Sequence, residues 1–208
     1  MKTVLAFGDS LTWGKDPATQ GRLAPKDRWP NVLQAGLEGV EVISEGLRGR
    51  TTAFDQTTAS CDMNGARVLP ALLHSHAPLD LVIVMLGLND VYWGYSRSDI
   101  TAGLVRIVEI IRHHPYRLPD ARVPEILLVA QPPMVPHSPD PKIAGPLLAN
   151  SRQLPLAVQY AAQETGVRHV DMSKVAQGSV LDGVHLGATN TRAIGEALIT
   201  PVKELLEL

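Results

Sequence analysis

A serine, an imidazole and a carboxylate are placed in this chain as acyl transfer through a covalent intermediate requires. Ser10 follows the apolar run Val4-Leu5-Ala6-Phe7 and the permissive Gly8, in the string Phe7-Gly8-Asp9-Ser10-Leu11. A hydroxyl at a sharp turn after a buried strand faces a crevice, not the core. Near the C-terminus, Asp182-Gly183-Val184-His185 supplies the carboxylate and the imidazole three residues apart. A serine hydroxyl is a poor nucleophile until a base takes its proton. Imidazole titrates near neutrality and suits that task, and one turn of loop can bring Asp182 against the ring to hold its tautomer. Together the three residues suggest a serine esterase or acyltransferase. Read singly, Asp9-Ser10 is also a helix cap and Asp182-Gly183 a plain β-turn.

The tetrahedral intermediate of such a reaction needs donors for its oxyanion. In the stretch Glu45-Gly46-Leu47-Arg48-Gly49-Arg50-Thr51-Thr52, Gly49 lets a backbone N–H point into a site. In Gly87-Leu88-Asn89-Asp90, Asn89 offers a neutral amide donor, with a helix cap as the other reading. Arg48 and Arg50 can bind an acidic substrate group, or pair with Glu45, Asp90 or a neighbouring subunit. Leu11, Trp13, Leu88, Trp93 and Val184 stand beside these residues and are candidates to line an apolar acyl or aryl pocket; the tryptophans are equally candidates for core or subunit-interface anchors. His74, His76, His113 and His114 end helices, where positive charge suits the dipole, and His137 and His169 read as structural. Cys61, the single cysteine, reads as an inert loop thiol.

These residues need a frame that brings distant segments together. Val4–Phe7, Val40–Ser44, Leu79–Leu86, Ile126–Ala130 and Arg168–Asp171 read as strands, the third nearly unbroken and suited to a central parallel position. Helical patterns run over Trp29–Leu37, Gly65–His76, Ile100–His113 (capped by Asp99 or Ser98), Leu147–Thr165 (with Pro155 at its start or at a kink) and Thr189–Leu206 (with Pro201 a possible break). Gly166 is a helix stop. Alternation of this kind predicts βαβ units and a three-layer α/β/α sandwich around a five-stranded parallel sheet, flavodoxin-like in type. Sites in such sheets form at the carboxyl ends of strands, where Ser10, Gly49 and Asn89 fall. Pro132–Pro146 reads as an ordered surface loop that overhangs the site or meets a subunit.

Composition bounds the rest. A chain of 208 residues reads as one domain over 1–208, 45% hydrophobic and 19% charged as in ordinary globular proteins. A net charge of -2, with no Lys/Arg-rich run, argues against nucleic acid. No apolar run reaches membrane-spanning length, and only a short apolar stretch follows Lys2, too short for a signal-peptide core. A cytoplasmic location is therefore expected. No G-x-x-x-x-G-K-[ST] or G-x-G-x-x-G motif is present, which weighs against a phosphate- or flavin-binding module. The chemistry calls for no metal and no organic cofactor.

Four segments in order, Phe-Gly-Asp-Ser-Leu at 7–11, Gly-Leu-Arg-Gly-Arg-Thr-Thr at 46–52, Gly-Leu-Asn-Asp at 87–90 and Asp-Gly-Val-His at 182–185, resemble the Ser, Gly, Asn and Asp-x-x-His blocks of the GDSL, or SGNH, hydrolase family. The resemblance implies Ser10 as nucleophile, His185 as base and Asp182 as its orienter. It also implies an oxyanion hole of the Ser10 and Gly49 N–H groups with the Asn89 amide. It is greatest to the bacterial arylesterase/acyltransferase branch, which implies short-acyl ester substrates, acyl transfer to alcohols or peroxide, and a homo-oligomer, often an octamer. Carbohydrate O-deacetylases and lysophospholipases or thioesterases of the same family share the triad. The chain departs from the branch at Arg48, where serine is common, and at Leu88, where threonine is common. Both sit beside the oxyanion residues, so acyl-group and acceptor preference are where it would differ.

Overall fold

The structure is a computed structural model that describes residues 1–119, 122–136 and 143–208. Its elements in chain order are β1 (Lys2–Gly8), α1 (Ser10–Trp13), α2 (Trp29–Ala35), β2 (Val40–Gly46), α3 (Gly65–His76), β3 (Leu81–Met85), α4 (Leu88–Tyr92), α5 (Arg97–His113), β4 (Glu125–Ala130), α6 (Pro146–Ser151), α7 (Leu154–Thr165), β5 (Arg168–Asp171) and α8 (Ala188–Leu206). The strands form one parallel sheet in the order β2-β1-β3-β4-β5. Every residue of β3, Leu-Val-Ile-Val-Met, is buried, as a strand covered on both faces must be.

Helix α2 packs on α8 and β2, while α5 lies between α3 and α7. Right-handed crossovers put the first group on one face of the sheet and the second on the other. Phe7, Trp29, Leu33, Leu69 and Leu73 are fully buried between these layers. The strand order reverses direction at the β1/β3 pair, and the crevice beyond the carboxyl ends of those strands is where this architecture places ligands.

Several helices differ from the sequence reading; α2, for one, ends at Ala35 and not at Leu37. Helix α5 begins a turn earlier, at Arg97, because Ser96 is its cap. The Ser96 hydroxyl accepts from Asp99 N at 3.2 Å, and the Asp99 carboxylate accepts from Ser96 N at 2.9 Å, a reciprocal capping box. The expected Leu147–Thr165 helix is two helices, and Pro155 falls in the first turn of α7, where its missing N–H costs nothing. Helix α8 continues through Pro201, which is buried with Leu198 and Val202 on the packed face. That packing outweighs the one backbone bond that proline removes. Gly166, at φ +67°, stops α7 as the sequence suggested. Of the proline-rich segment, His137, Pro139 and Pro141 lie outside the described residues. Its flanks run along the active edge, with Val135 N donating to Gly183 O at 2.9 Å.

Candidate active site

The first wall of the site is the β1–α1 turn. Gly8 has no room for a side chain, since a Cβ there would come within 2.0 Å of Thr12 Oγ1. Asp9 caps α1 by accepting from Leu11 N at 2.9 Å. Ser10 is the first residue of α1, so its N–H has no intrahelical acceptor and its hydroxyl stands at the helix start.

His185 comes from the loop between β5 and α8. Its Nε2 is 3.0 Å from Ser10 Oγ, and its Nδ1 is 2.8 Å from Asp182 Oδ2. The other Asp182 oxygen accepts from Val184 N at 3.0 Å and His185 N at 2.9 Å. Partial burial works to raise the Asp182 pKa, but the bond from the His185 ring and the two backbone N–H donors outweigh it, and the carboxyl stays below its usual range. An ionised carboxylate only accepts, so the ring carries its hydrogen on Nδ1 and turns the Nε2 lone pair to the Ser10 hydroxyl. This is the geometry in which a hydroxyl proton can pass to imidazole.

Two further segments leave the same carboxyl edge of the sheet, after β2 and β3. Gly49 sits at φ +87°, a backbone state that side chains disfavour, and its N–H has no acceptor among the described residues. Asn89 lies in α4 just past β3, and its Nδ2 donates to Asp9 Oδ2 at 3.0 Å and to Arg50 O at 3.1 Å. An oxyanion would therefore compete with Asp9 or Arg50 O for an Asn89 proton.

A buried polar layer braces these loops. Asp90 accepts from Thr52 N at 3.0 and 3.1 Å and from Thr52 Oγ1 at 2.6 Å, tying the Asn89 helix to the Gly49 loop. Burial pushes the Asp90 carboxyl up to about 6 against these bonds. Burial also raises Asp9, although Gln131, Leu11 N, His185 and Arg50 all act to lower it. Arg50 turns inward: Nη1 donates to Gly8 O at 2.8 Å and to Glu45 O, and Cζ lies 4.3 Å from the Phe7 ring centroid. Burial draws its pKa down to about 10. Arg50 thus supports the sheet edge through backbone carbonyls and does not face the cleft, which leaves Arg48 as the arginine of that loop open to a ligand.

The cleft in front of Ser10 has a volume of about 270 Å³ and is lined by Leu88, Tyr92, Met134, Ile143 and Val184 around the polar residues. Leu88 and Val184 belonged to the expected lining. Leu11, Trp13 and Trp93 belonged to it too, and the structure puts them elsewhere. Leu11 is 3% exposed in the core, because the face of α1 one step on from Ser10 turns under the sheet edge. Trp13 stacks against arginines, and Trp93, at the end of α4, is 53% exposed with its edge on Tyr92. Sequence reasoning passed over Gln20, Tyr92, Met134 and Ile143 in the lining and Gln131 behind it. Gln131 and Met134 directly follow β4, and that position at a strand's carboxyl end was the signal available for them. No group of three or more His, Cys, Asp or Glu side chains among the described residues is gathered to hold a metal ion.

With sheet order and site geometry in place, the class is defined. Residues 6–191 match the GDSL-like Lipase/Acylhydrolase family, and the chain belongs to it. The structure of a carbohydrate acetylesterase family member from Sinorhizobium meliloti is similar throughout, with a TM-score of 0.95, 43% identity and 100% of both chains covered. The aryl esterase of M. smegmatis gives a TM-score of 0.91 at 36% identity, covering 99% of this chain and 100% of its own. An arylesterase of Vibrio mimicus is 32% identical over 113 residues, 52% of this chain; the match spans 48% of that curated relative.

Proposed function

We propose that the protein is a serine esterase acting on small carboxylic esters, within a single domain over 1–208. The observation that carries the reading is the continuous chain Asp182 Oδ2–His185 Nδ1 and His185 Nε2–Ser10 Oγ, at 2.8 and 3.0 Å. Ser10 Oγ bonds to the ester carbonyl carbon as His185 Nε2 takes its proton. The carbonyl π electrons move onto oxygen, and the oxyanion is received by the Ser10 and Gly49 N–H groups and the Asn89 amide. The intermediate collapses, the C–O bond to the alcohol breaks, and His185 returns the proton to the leaving oxygen. Water then adds to the acyl-enzyme by the same proton route and releases the acid and free Ser10. The residues at hand do this without a metal or organic cofactor.

The narrow apolar cleft supports a short acyl group. The likeness to a carbohydrate acetylesterase supports an alternative in which the leaving alcohol is a sugar hydroxyl. Acyl transfer to another alcohol or to peroxide follows the same route with a different acceptor. The exposed Trp93, and Leu181 beside Asp182, support a homo-oligomer, with an octamer as the expectation. Among the described residues no helix is long and apolar enough to cross a membrane. The lone exposed Cys61 accords with a cytoplasmic location. The test is p-nitrophenyl acetate hydrolysis by the purified protein beside folded Ser10→Ala. Turnover lost in the variant supports the reading. Turnover absent from the wild type, or undiminished in Ser10→Ala, overturns it.

A further inference from the structure

The helix that starts at Ser10 carries, at its far end, positive charge that the acyl chemistry does not use. Trp13 is the last residue of α1, the helix that starts at Ser10, so its backbone lies roughly 5 Å along the axis from that of Ser10. Arg22 Cζ lies 4.8 Å from the Trp13 ring centroid, and Arg48 Cζ lies 4.9 Å from the same centroid. Arg48 immediately precedes Gly49. Arg22 closes the loop that begins at Lys15, through a bridge between those two residues, and this loop puts Gln20 into the cleft lining.

Both guanidiniums are exposed, and neither forms an ion pair among the described residues. Arg22 anchors its Nε on Trp13 O at 2.7 Å, which leaves its terminal nitrogens unbonded among those residues; Arg48 makes no hydrogen bond among them. The carboxylate of the same loop, Asp16, is engaged by Ala18 N at 2.9 Å and Thr19 Oγ1 at 2.8 Å. Arg28, packed on Gly14, adds a third guanidinium; its pKa is drawn down by burial and then by Arg22. Like charges drawn to one ring repel each other. Arg22 and Arg48 each lie over the indole, and no acidic side chain among the described residues pairs with either. Guanidinium forks match planar anions.

We propose that Arg22 and Arg48, seated on Trp13, form an anion subsite at the mouth of the cleft. The preferred esters then carry a negative group, a carboxylate in the simplest case, on the alcohol portion, while the short acyl group fills the apolar cleft. This deepens the esterase reading and rests on it.

The experiment compares 4-acetoxybenzoate with its neutral isostere 4-acetoxybenzamide, as the ratio of kcat/KM values in one protein preparation. Loss of folded protein cancels in that ratio. The wild type is expected to favour the carboxylate by about tenfold at low salt, the scale of one charge-assisted contact, and the preference should shrink as salt screens it. In Arg48→Gln and in Arg22→Gln the ratio should fall toward one. A wild-type ratio near one, or a preference that survives in both variants, overturns the subsite. Calorimetric binding of the same two esters to Ser10→Ala reads the subsite without turnover. Tighter binding of the carboxylate that is lost in Ser10→Ala/Arg48→Gln supports the subsite even where turnover fails and the esterase reading falls. Equal binding of both esters overturns it.

Discussion

Gln131 and Asp9 join two walls of the site across 122 positions of sequence: Gln131 Nε2 donates to Asp9 Oδ2 at 2.9 Å. The other end of the same amide, Oε1, accepts from Leu88 N at 2.9 Å. One buried side chain thus sets the distance between the Ser10 turn and the Asn89 helix. Gln131→Leu removes both bonds and leaves the Leu88 N–H unpaired in the interior, which should destabilise the protein by about 1–3 kcal/mol. Urea unfolding measures that loss. Steady-state kinetics on p-nitrophenyl acetate should show kcat falling more than KM changes, because the residue spaces donors and does not touch substrate. An unchanged kcat would reduce Gln131 to a packing residue.

Asn89→Ala removes a proposed oxyanion donor and is expected to lower kcat by about 10²- to 10³-fold. It also frees Asp9 Oδ2 and Arg50 O from their shared partner. A kcat equal to that of the wild type would take Asn89 out of the reaction.

Gly49→Ala tests backbone geometry in place of side-chain chemistry. A Cβ at this position meets only Met63, at 3.6 Å, so space is available. The cost comes from φ +87°, which an alanine tolerates at about 1–2 kcal/mol. Relaxation of that strain would re-aim the N–H proposed as an oxyanion donor. The expectation is a modest fall in unfolding free energy and a larger fall in kcat, with the KM for p-nitrophenyl acetate nearly constant.

Asp90 makes a statement about pH. Its carboxyl is raised from 3.8 to about 6 by burial, so between those values the folded chain holds a proton that the unfolded chain has released. Its contribution therefore becomes less favourable as pH rises through that window, by on the order of 3 kcal/mol, and is constant above it. Asp90→Asn does not titrate. Urea-unfolding free energies at pH 4 and pH 7 should show the variant gaining on the wild type as pH rises, whatever the offset from its altered bonds to Thr52. A constant difference between the two proteins would show that Asp90 titrates alike in both states.

Acyl-chain length probes the cleft. A volume of about 270 Å³ between Tyr92, Met134, Ile143 and Val184 holds a short acyl group and crowds a long one. Acetyl and propionyl p-nitrophenyl esters should be turned over faster than the octanoyl ester. The reverse order would mean that the cleft opens to admit chains.

The sheet was legible because its signal is local. Leu81–Met85 is a run of branched and large apolar residues with turn-forming neighbours, and only a buried parallel strand fits it. Ser10, Gly49 and Asn89 were singled out for a related reason: each stands just past a strand, and carboxyl ends of parallel strands converge. What stayed hidden depends on contacts between distant segments. Trp13 stands beside Ser10 in sequence, yet its ring is drawn to Arg22 and Arg48, and no spacing rule announces that. Gln131 gains its meaning from Asp9 and Leu88, which lie far off in the chain. The start of α5 was misplaced because Ser96, Ser98 and Asp99 are all capping residue types; the choice among them follows from side-chain bonds that the sequence leaves open.

Ser10 and His185 are 175 residues apart. The serine belongs to the turn after β1, and the imidazole lies in the loop after β5. Between them the chain must lay down β2, β3, β4 and β5 and set the sheet in register around β1. On the proposed mechanism, a polypeptide whose sheet is incomplete holds Ser10 apart from His185 and should not turn over esters. Recovery of turnover during refolding then times the completion of the whole sheet, and it would lag behind the appearance of helix or of compactness.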